Sequence, residues 1–258
     1  MPVRSRDEVG QLAEAFNGMI EGLALNRRYH SLLEQVADPA VAQALIAGGV
    51  GLRGEKRPVT VLFCDIRGFT TLSASMEPAE VIEMLNEHMT AMTRVVYEHG
   101  GVVDKFVGDL VMAVFGAPQS KPDDCAHAVR CALSMVEERR LLNGRSQWKL
   151  SIGLGIATGE AVAGCMGSPD RLDYTVLGER VNLAARLCGE ARPDEILADD
   201  ATATGAADTA DFRPAGPLML KGYQMPVTGW VVHPKAIGTA GPAGPIAAQP
   251  PDGAPGHL

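Results

Sequence analysis

Two aspartates stand where their charge could do chemistry. Asp65 closes the β-branched, apolar run Pro58-Val-Thr-Val-Leu-Phe-Cys-Asp65 and is followed by Ile66-Arg67-Gly68-Phe69-Thr70. Asp109 follows Gly108 between two short apolar runs, Val102–Val107 and Leu110–Phe115. Gly-Asp between such runs signals a tight hairpin turn. If the first strand lies beside that hairpin, both carboxylates meet at one end of a sheet. Two carboxylates held together repel each other unless a cation neutralises them, and oxygen donors suit Mg²⁺ or Mn²⁺. Taken separately, Asp109 is an ordinary turn residue and Asp65 a strand-end cap. The glycines after Asp65 and before Asp109 favour the ligand reading, because both leave room for a phosphate near the backbone.

A second pair is Asn182 and Arg186, one helical turn apart in a stretch of helical composition. They therefore point from one face. A guanidinium there offers a planar donor fork that stays ionised. On their own the two residues also read as a helix-interior Asn and an Arg in a surface ion pair.

The elements that must hold these groups fall into four zones. In the first, 1–37, Val9, Leu12, Phe16, Met19 and Leu23 recur at alternating steps of three and four, a heptad seam. One apolar stripe on an exposed helix calls for a partner, and a second copy of the chain is the simplest one. Residues 38–57 read as a short helix ending in Gly48-Gly49 and a linker. Residues 58–233 alternate strand-like and helix-like runs. Helices are expected over Pro78–Glu98, Asp123–Leu142 and Val181–Cys188, a strand over Leu150–Thr158, and a closing hairpin over Pro217–Val232. The tail, 234–258, is rich in Gly, Pro and Ala without period and is expected to be disordered.

Composition bounds the rest. The chain has 258 residues, 46% hydrophobic and 21% charged, which suits one globular domain with appendages. A net charge of −8 lacks the basic footprint of a nucleic-acid binder. Five scattered cysteines without a C-x-x-C pair argue against a disulfide framework and against zinc. No apolar run approaches the roughly 20 residues that cross a bilayer, so the expected setting is cytoplasmic.

Three segments carry a family resemblance. Phe63-Cys-Asp65-Ile-Arg-Gly-Phe-Thr70, Lys105-Phe-Val-Gly-Asp109 with Met112-Ala-Val-Phe-Gly116, and Asp173-Tyr-Thr175-Val-Leu-Gly178 with Val181-Asn182-Leu-Ala-Ala-Arg186 resemble, in order, the signatures of class III nucleotidyl cyclases. The resemblance covers about Arg57 to Val232. It implies a ferredoxin-like α/β (α+β) domain, an antiparallel-rich sheet with helices on one face, joined head to tail as a homodimer. It also implies two divalent ions, Mg²⁺ or Mn²⁺, per site on Asp65, Asp109 and the Ile66 carbonyl. One ion would activate the ribose 3′-hydroxyl and the other would neutralise the pyrophosphate leaving group. Asn182 would orient the ribose and Arg186 would stabilise charge on the α-phosphate. Lys221 matches a triphosphate-binding position, although a solvated hairpin lysine fits it almost as well.

Base choice, by the same resemblance, falls to Lys105 and Thr175. A lysine only donates and a hydroxyl can accept, which suits adenine, so the expected reaction is ATP to cyclic AMP. Guanylyl cyclases typically carry Glu and Cys there. A Thr at position 175 also resembles the bicarbonate-responsive subgroup. Gly153 departs from relatives that carry a basic residue at that position. The metal aspartates would come from one protomer and the base and transition-state residues from its partner, so a monomer would have no complete site. The alternatives are a guanylyl cyclase and an inactive homologue that only binds nucleotide or dimerises. Asp7-Glu-Val-Gly-Gln-Leu-Ala13 with Phe16-Asn17 resembles the second helix of a HAMP module. That implies a signalling relay and a membrane link through an upstream portion.

Overall fold

The computed structural model describes residues 54–168 and 171–235, with single helical positions between 16 and 43. The elements are β1 (Glu55–Ile66), α1 (Phe69–Ser73), α2 (Pro78–Glu98), β2 (Val102–Val107), β3 (Leu110–Phe115) and α3 (Asp124–Arg145). They continue as β4 (Ile152–Ser168), β5 (Arg171–Leu177), α4 (Glu179–Glu190), β6 (Ile196–Ala198), α5 (Asp200–Gly205), β7 (Ala210–Leu218) and β8 (Val227–Pro234). The strands form one sheet in the order β2-β3-β1-β4-β6-β8-β7, with β5 paired to β4. Only the β4–β6 pair is parallel. This is the α+β fold expected from the sequence.

The hairpin β2–β3 has its turn at Gly108-Asp109, where Gly108 takes φ +65°, a backbone conformation that costs a glycine little. β1 lies against β3 with Cys64 opposite Val111, so the strand end at Asp65 meets the hairpin turn. β1 begins at Glu55, three residues before the expected Pro58, because Glu55 still pairs with Ala163 of β4. β4 runs to Ser168 instead of ending at Thr158. Its Gly- and Ala-rich second half is held by seven pairings with β5. β7 likewise begins at Ala210, ahead of the expected Pro217. Its prolines are tolerated because it is an edge strand.

Helices cover both faces of the sheet, not one. Leu62 and Cys64 of β1 pack with Met92 and Val95 of α2 and with Val129 and Met135 of α3. The alternate residues Val59, Val61 and Phe63 pack on the other face with Val176 of β5 and Leu183 and Leu187 of α4. Alternation along a strand buried on both sides requires this. α4 sits close on β4 because Gly155 has no side chain. A Cβ there would stand 2.2 Å from both the Ala184 carbonyl oxygen and the Cys188 nitrogen.

In the expected N-terminal helix, Phe16, Asn17, Met19, Ile20 and Gly22 are helical, and the seam residues Phe16 and Met19 are exposed. The rest of that helix, most of the 38–57 linker, and the tail beyond Lys235 lie outside the described residues. No helix among the described residues is long and apolar enough to cross a membrane.

Candidate active site

Asp65 and Asp109 are brought together as the strand spacing predicts. The Ile66 N–H donates to Asp109 Oδ2 at 3.2 Å, which pins the hairpin turn to the end of β1. Burial, with the hydrogen bond and charge of Asp109, pushes the Asp65 carboxyl up to about 6, against a pull downward from Arg67. A cation beside the two carboxylates would offset the repulsion that raises Asp65. Their oxygens and the Ile66 carbonyl suit a hard dication, so the residues present fit the expected metal. A cluster of three or more His, Cys, Asp or Glu ligands is absent among the described residues.

Arg67 was not singled out by sequence, yet it joins three elements. Its guanidinium pairs with Asp65 and donates to the carbonyls of Cys188 and Ala191 at the end of α4, both at 3.1 Å. It lies over Gly153, where a Cβ would come within 2.8 Å of the guanidinium carbon. Gly153, noted as the absence of a basic residue, is thus the space that Arg67 occupies. The clamp ties the carboxylate strand to the helix that carries Asn182 and Arg186. Beneath it, burial pushes the Cys188 thiol up to about 12 and leaves it unreactive.

Asn182 and Arg186 are both exposed and share the outward face of α4, while Leu183, Ala184 and Leu187 face the sheet. Neither side chain has a hydrogen-bond or ion-pair partner among the described residues, so both are available to a ligand. Lys221 is exposed on the β7–β8 connection, and nothing among the described residues ties it to the other candidates.

The other two candidates meet at a carboxylate that sequence reading passed over. The pairing of β2 with β3 slips between Val103 and Lys105, which makes Asp104 the extra residue of a β-bulge. Bulges re-aim side chains, and the Asp104 carboxylate is 3% exposed. The Thr175 hydroxyl donates to its Oδ2 at 2.9 Å, and Lys105 Nζ lies 3.3 Å from the same oxygen. Burial raises the Asp104 carboxyl above its ordinary value, against the downward pull of the Lys105 charge, the Thr175 hydrogen bond and the Val176 backbone.

A family profile described as the Adenylate and Guanylate cyclase catalytic domain matches residues 53–234. The chain belongs to that cyclase family. A HAMP domain profile matches residues 1–24, where the sequence suggested such a helix. The chain is 38% identical over 226 residues to the uncharacterized protein Rv1320c of Mycobacterium tuberculosis, covering 85% of this chain and 39% of the relative. A second uncharacterized protein of that organism, Rv1318c, is 35% identical over 224 residues, covering 85% of this chain and 41% of the relative. The chain therefore spans about two fifths of the length of these relatives.

Among solved structures, the adenylyl cyclase CyaB from P. aeruginosa superposes with TM-score 0.67 at 34% identity, over 70% of this chain and 96% of that one. The guanylyl cyclase Cya2 superposes with TM-score 0.65 at 35% identity, over 72% and 98%. An adenylyl cyclase and a guanylyl cyclase thus share this chain's architecture.

Proposed function

We propose that the chain is an adenylyl cyclase that converts ATP to 3′,5′-cyclic AMP and pyrophosphate as a homodimer with shared sites. The observation that carries the base choice is the meeting of Lys105 and Thr175 on one Asp104 oxygen. A donor-only ammonium and a hydroxyl side by side match adenine's ring nitrogen and 6-amino group. In the reaction the ribose 3′-oxygen bonds to the α-phosphorus, the bond to the β-phosphate bridging oxygen breaks, and the hydroxyl proton passes to solvent. Asp65, Asp109 and the Ile66 carbonyl would hold two divalent ions, Mg²⁺ or Mn²⁺, which supply positive charge beside the triphosphate and the attacking oxygen. Asn182 orients the ribose, and Arg186 meets charge growing on the α-phosphate. Lys221 contributes a further donor to the phosphates.

Dimerisation is supported by apolar side chains left in solvent. Phe106 and Val107 beside the β2–β3 turn, and Val162, Met166, Leu172 and Leu177 on the β4–β5 hairpin, are all exposed, a density that marks an interaction surface. The exposed seam residues Phe16 and Met19 support a paired N-terminal helix that sets how two catalytic domains meet. The longer relatives and the HAMP match favour a receptor whose upstream portion reaches a membrane.

The test is product formation by the purified chain with ATP or GTP in Mg²⁺ or Mn²⁺, with Asp65→Ala as control. Cyclic AMP from ATP, little product from GTP, and none from the variant is the expected result; cyclic GMP as main product would overturn it. Thr175 also supports bicarbonate as an activator. Rates in matched sodium bicarbonate and sodium chloride at fixed pH should differ, and equal rates would end that part of the proposal.

A further inference from the structure

We propose that Asp104, the bulge residue of β2, sets base selection by holding the Thr175 hydroxyl as an acceptor toward the base and Lys105 beside it as the donor. The proposal rests on the adenylyl cyclase reading. A hydroxyl has one hydrogen and can turn either way. Unconstrained, Thr175 could accept from adenine's 6-amino group or donate to guanine's 6-oxygen equally well. The structure removes that freedom. An ionised carboxylate only accepts, so the Thr175 hydrogen is committed to Asp104 Oδ2 at 2.9 Å. Thr175 is 2% exposed, so bulk water cannot compete for that hydrogen. With its hydrogen committed, the hydroxyl offers the base only lone pairs, which can only accept.

Lys105 Nζ, 3.3 Å from the same oxygen, is held next to the hydroxyl by the ion pair. Its side chain is 40% exposed, which leaves its remaining hydrogens for the ring nitrogen. One carboxylate thus writes an acceptor and a donor side by side, complementary to adenine's donor and acceptor. Guanine presents the reverse pair and leaves both groups mismatched, the arrangement that discriminates best between hydrogen-bonding substrates. Asp104 can serve both partners because it is the unpaired residue of the bulge. The Thr175 bond also ties the carboxylate to β5, so Asp104 is a positioning residue that need not touch the nucleotide.

Asp104→Asn isolates the idea. Its amide can donate to the Thr175 oxygen, which occupies one lone pair and frees the hydroxyl hydrogen to point at guanine. The experiment measures kcat/KM for ATP and for GTP with the full chain as wild type, Asp104→Asn, Thr175→Val and the double variant. Thermal melting checks folding, and displacement of a fluorescent ATP analogue by each nucleotide gives a binding readout independent of turnover. The ATP-over-GTP ratio should fall about tenfold or more in Asp104→Asn, partly through a gain with GTP. Thr175→Val should fall comparably, and the double variant no further than the larger single change. A folded Asp104→Asn that keeps the wild-type ratio, or loses both nucleotides in equal proportion, overturns the proposal. Should Asp104→Asn fail to fold, an unchanged ratio in Thr175→Val overturns it alone. A wild type that prefers GTP removes the adenylyl reading and this proposal with it. A wild type that prefers ATP, with variant ratios unchanged, removes this proposal only.

Discussion

On one face of the sheet, α2 and α3 bring helices of 21 and 22 residues against Leu62, Phe115 and Ile156. On the other, a 12-residue helix, α4, does the covering, with Val176 of β5 packed beside it. The first face is closed so completely that His88 and Arg139 are 0% and 1% exposed, with no hydrogen-bond partner for the imidazole or the guanidinium among the described residues. The second keeps Asn182 and Arg186 in solvent and assembles its carboxylates at the strand ends. Stability should therefore be concentrated on the α2–α3 face and chemistry on the α4 side.

Changes that separate activity from folding test that division. Asp109→Ala should lower cyclase activity at least ~1,000-fold, the scale of losing several kcal/mol of charge stabilisation. Its melting temperature should change little, since loss of the Ile66 N–H bond is offset by relief of the repulsion with Asp65; a large drop in melting would blur the division. Arg186→Ala should cost about 100- to 1,000-fold in kcat, again without a melting change, because the side chain is exposed. On the opposite face the signs exchange. Met92, fully buried, should cost about 2–5 kcal/mol of stability as Met92→Ala, with kcat per folded molecule kept. A kcat loss there would mean that the faces are coupled.

The finest test uses pH. Burial, then the charge of Arg139, lowers the His88 pKa from 6.5 to about 3. The native state therefore holds His88 neutral while the unfolded chain protonates it. Its contribution is complete above pH ~6.5 and is lost as pH falls toward 3, with a slope of up to about 1.4 kcal/mol per pH unit. Melting of wild type and His88→Leu between pH 7.5 and 5 should show the slope shrinking in the variant. Parallel curves would mean that other groups carry it.

The carboxylate pair was readable from sequence because its determinants are local. The apolar run into Asp65, the glycine before Asp109 and the hairpin between them each act over a few residues. Asn182 and Arg186 were readable for the same reason, as one turn of helix. Asp104 was not, because a bulge follows from how β2 meets β3 and leaves no mark in composition. Arg67 was hidden too, since its partners Cys188 and Ala191 lie more than a hundred residues away. The second half of β4 was missed because glycines and alanines have weak strand preference, and only pairing with β1 and β5 holds it extended. The placement of α4 needed the third dimension, since a buried strand apolar on both sides does not say which face a later helix takes.

Gly155 shows what such contacts mean for inheritance. Its codon encodes no functional group, and a Cβ added there would meet the backbone of α4. Even the smallest side chain there would push away the helix that carries both Asn182 and Arg186. A screen of randomly mutated genes for inactive cyclases should therefore return position 155 beside Asp65 and Arg186. It would be an essential position whose whole contribution is the volume it leaves empty.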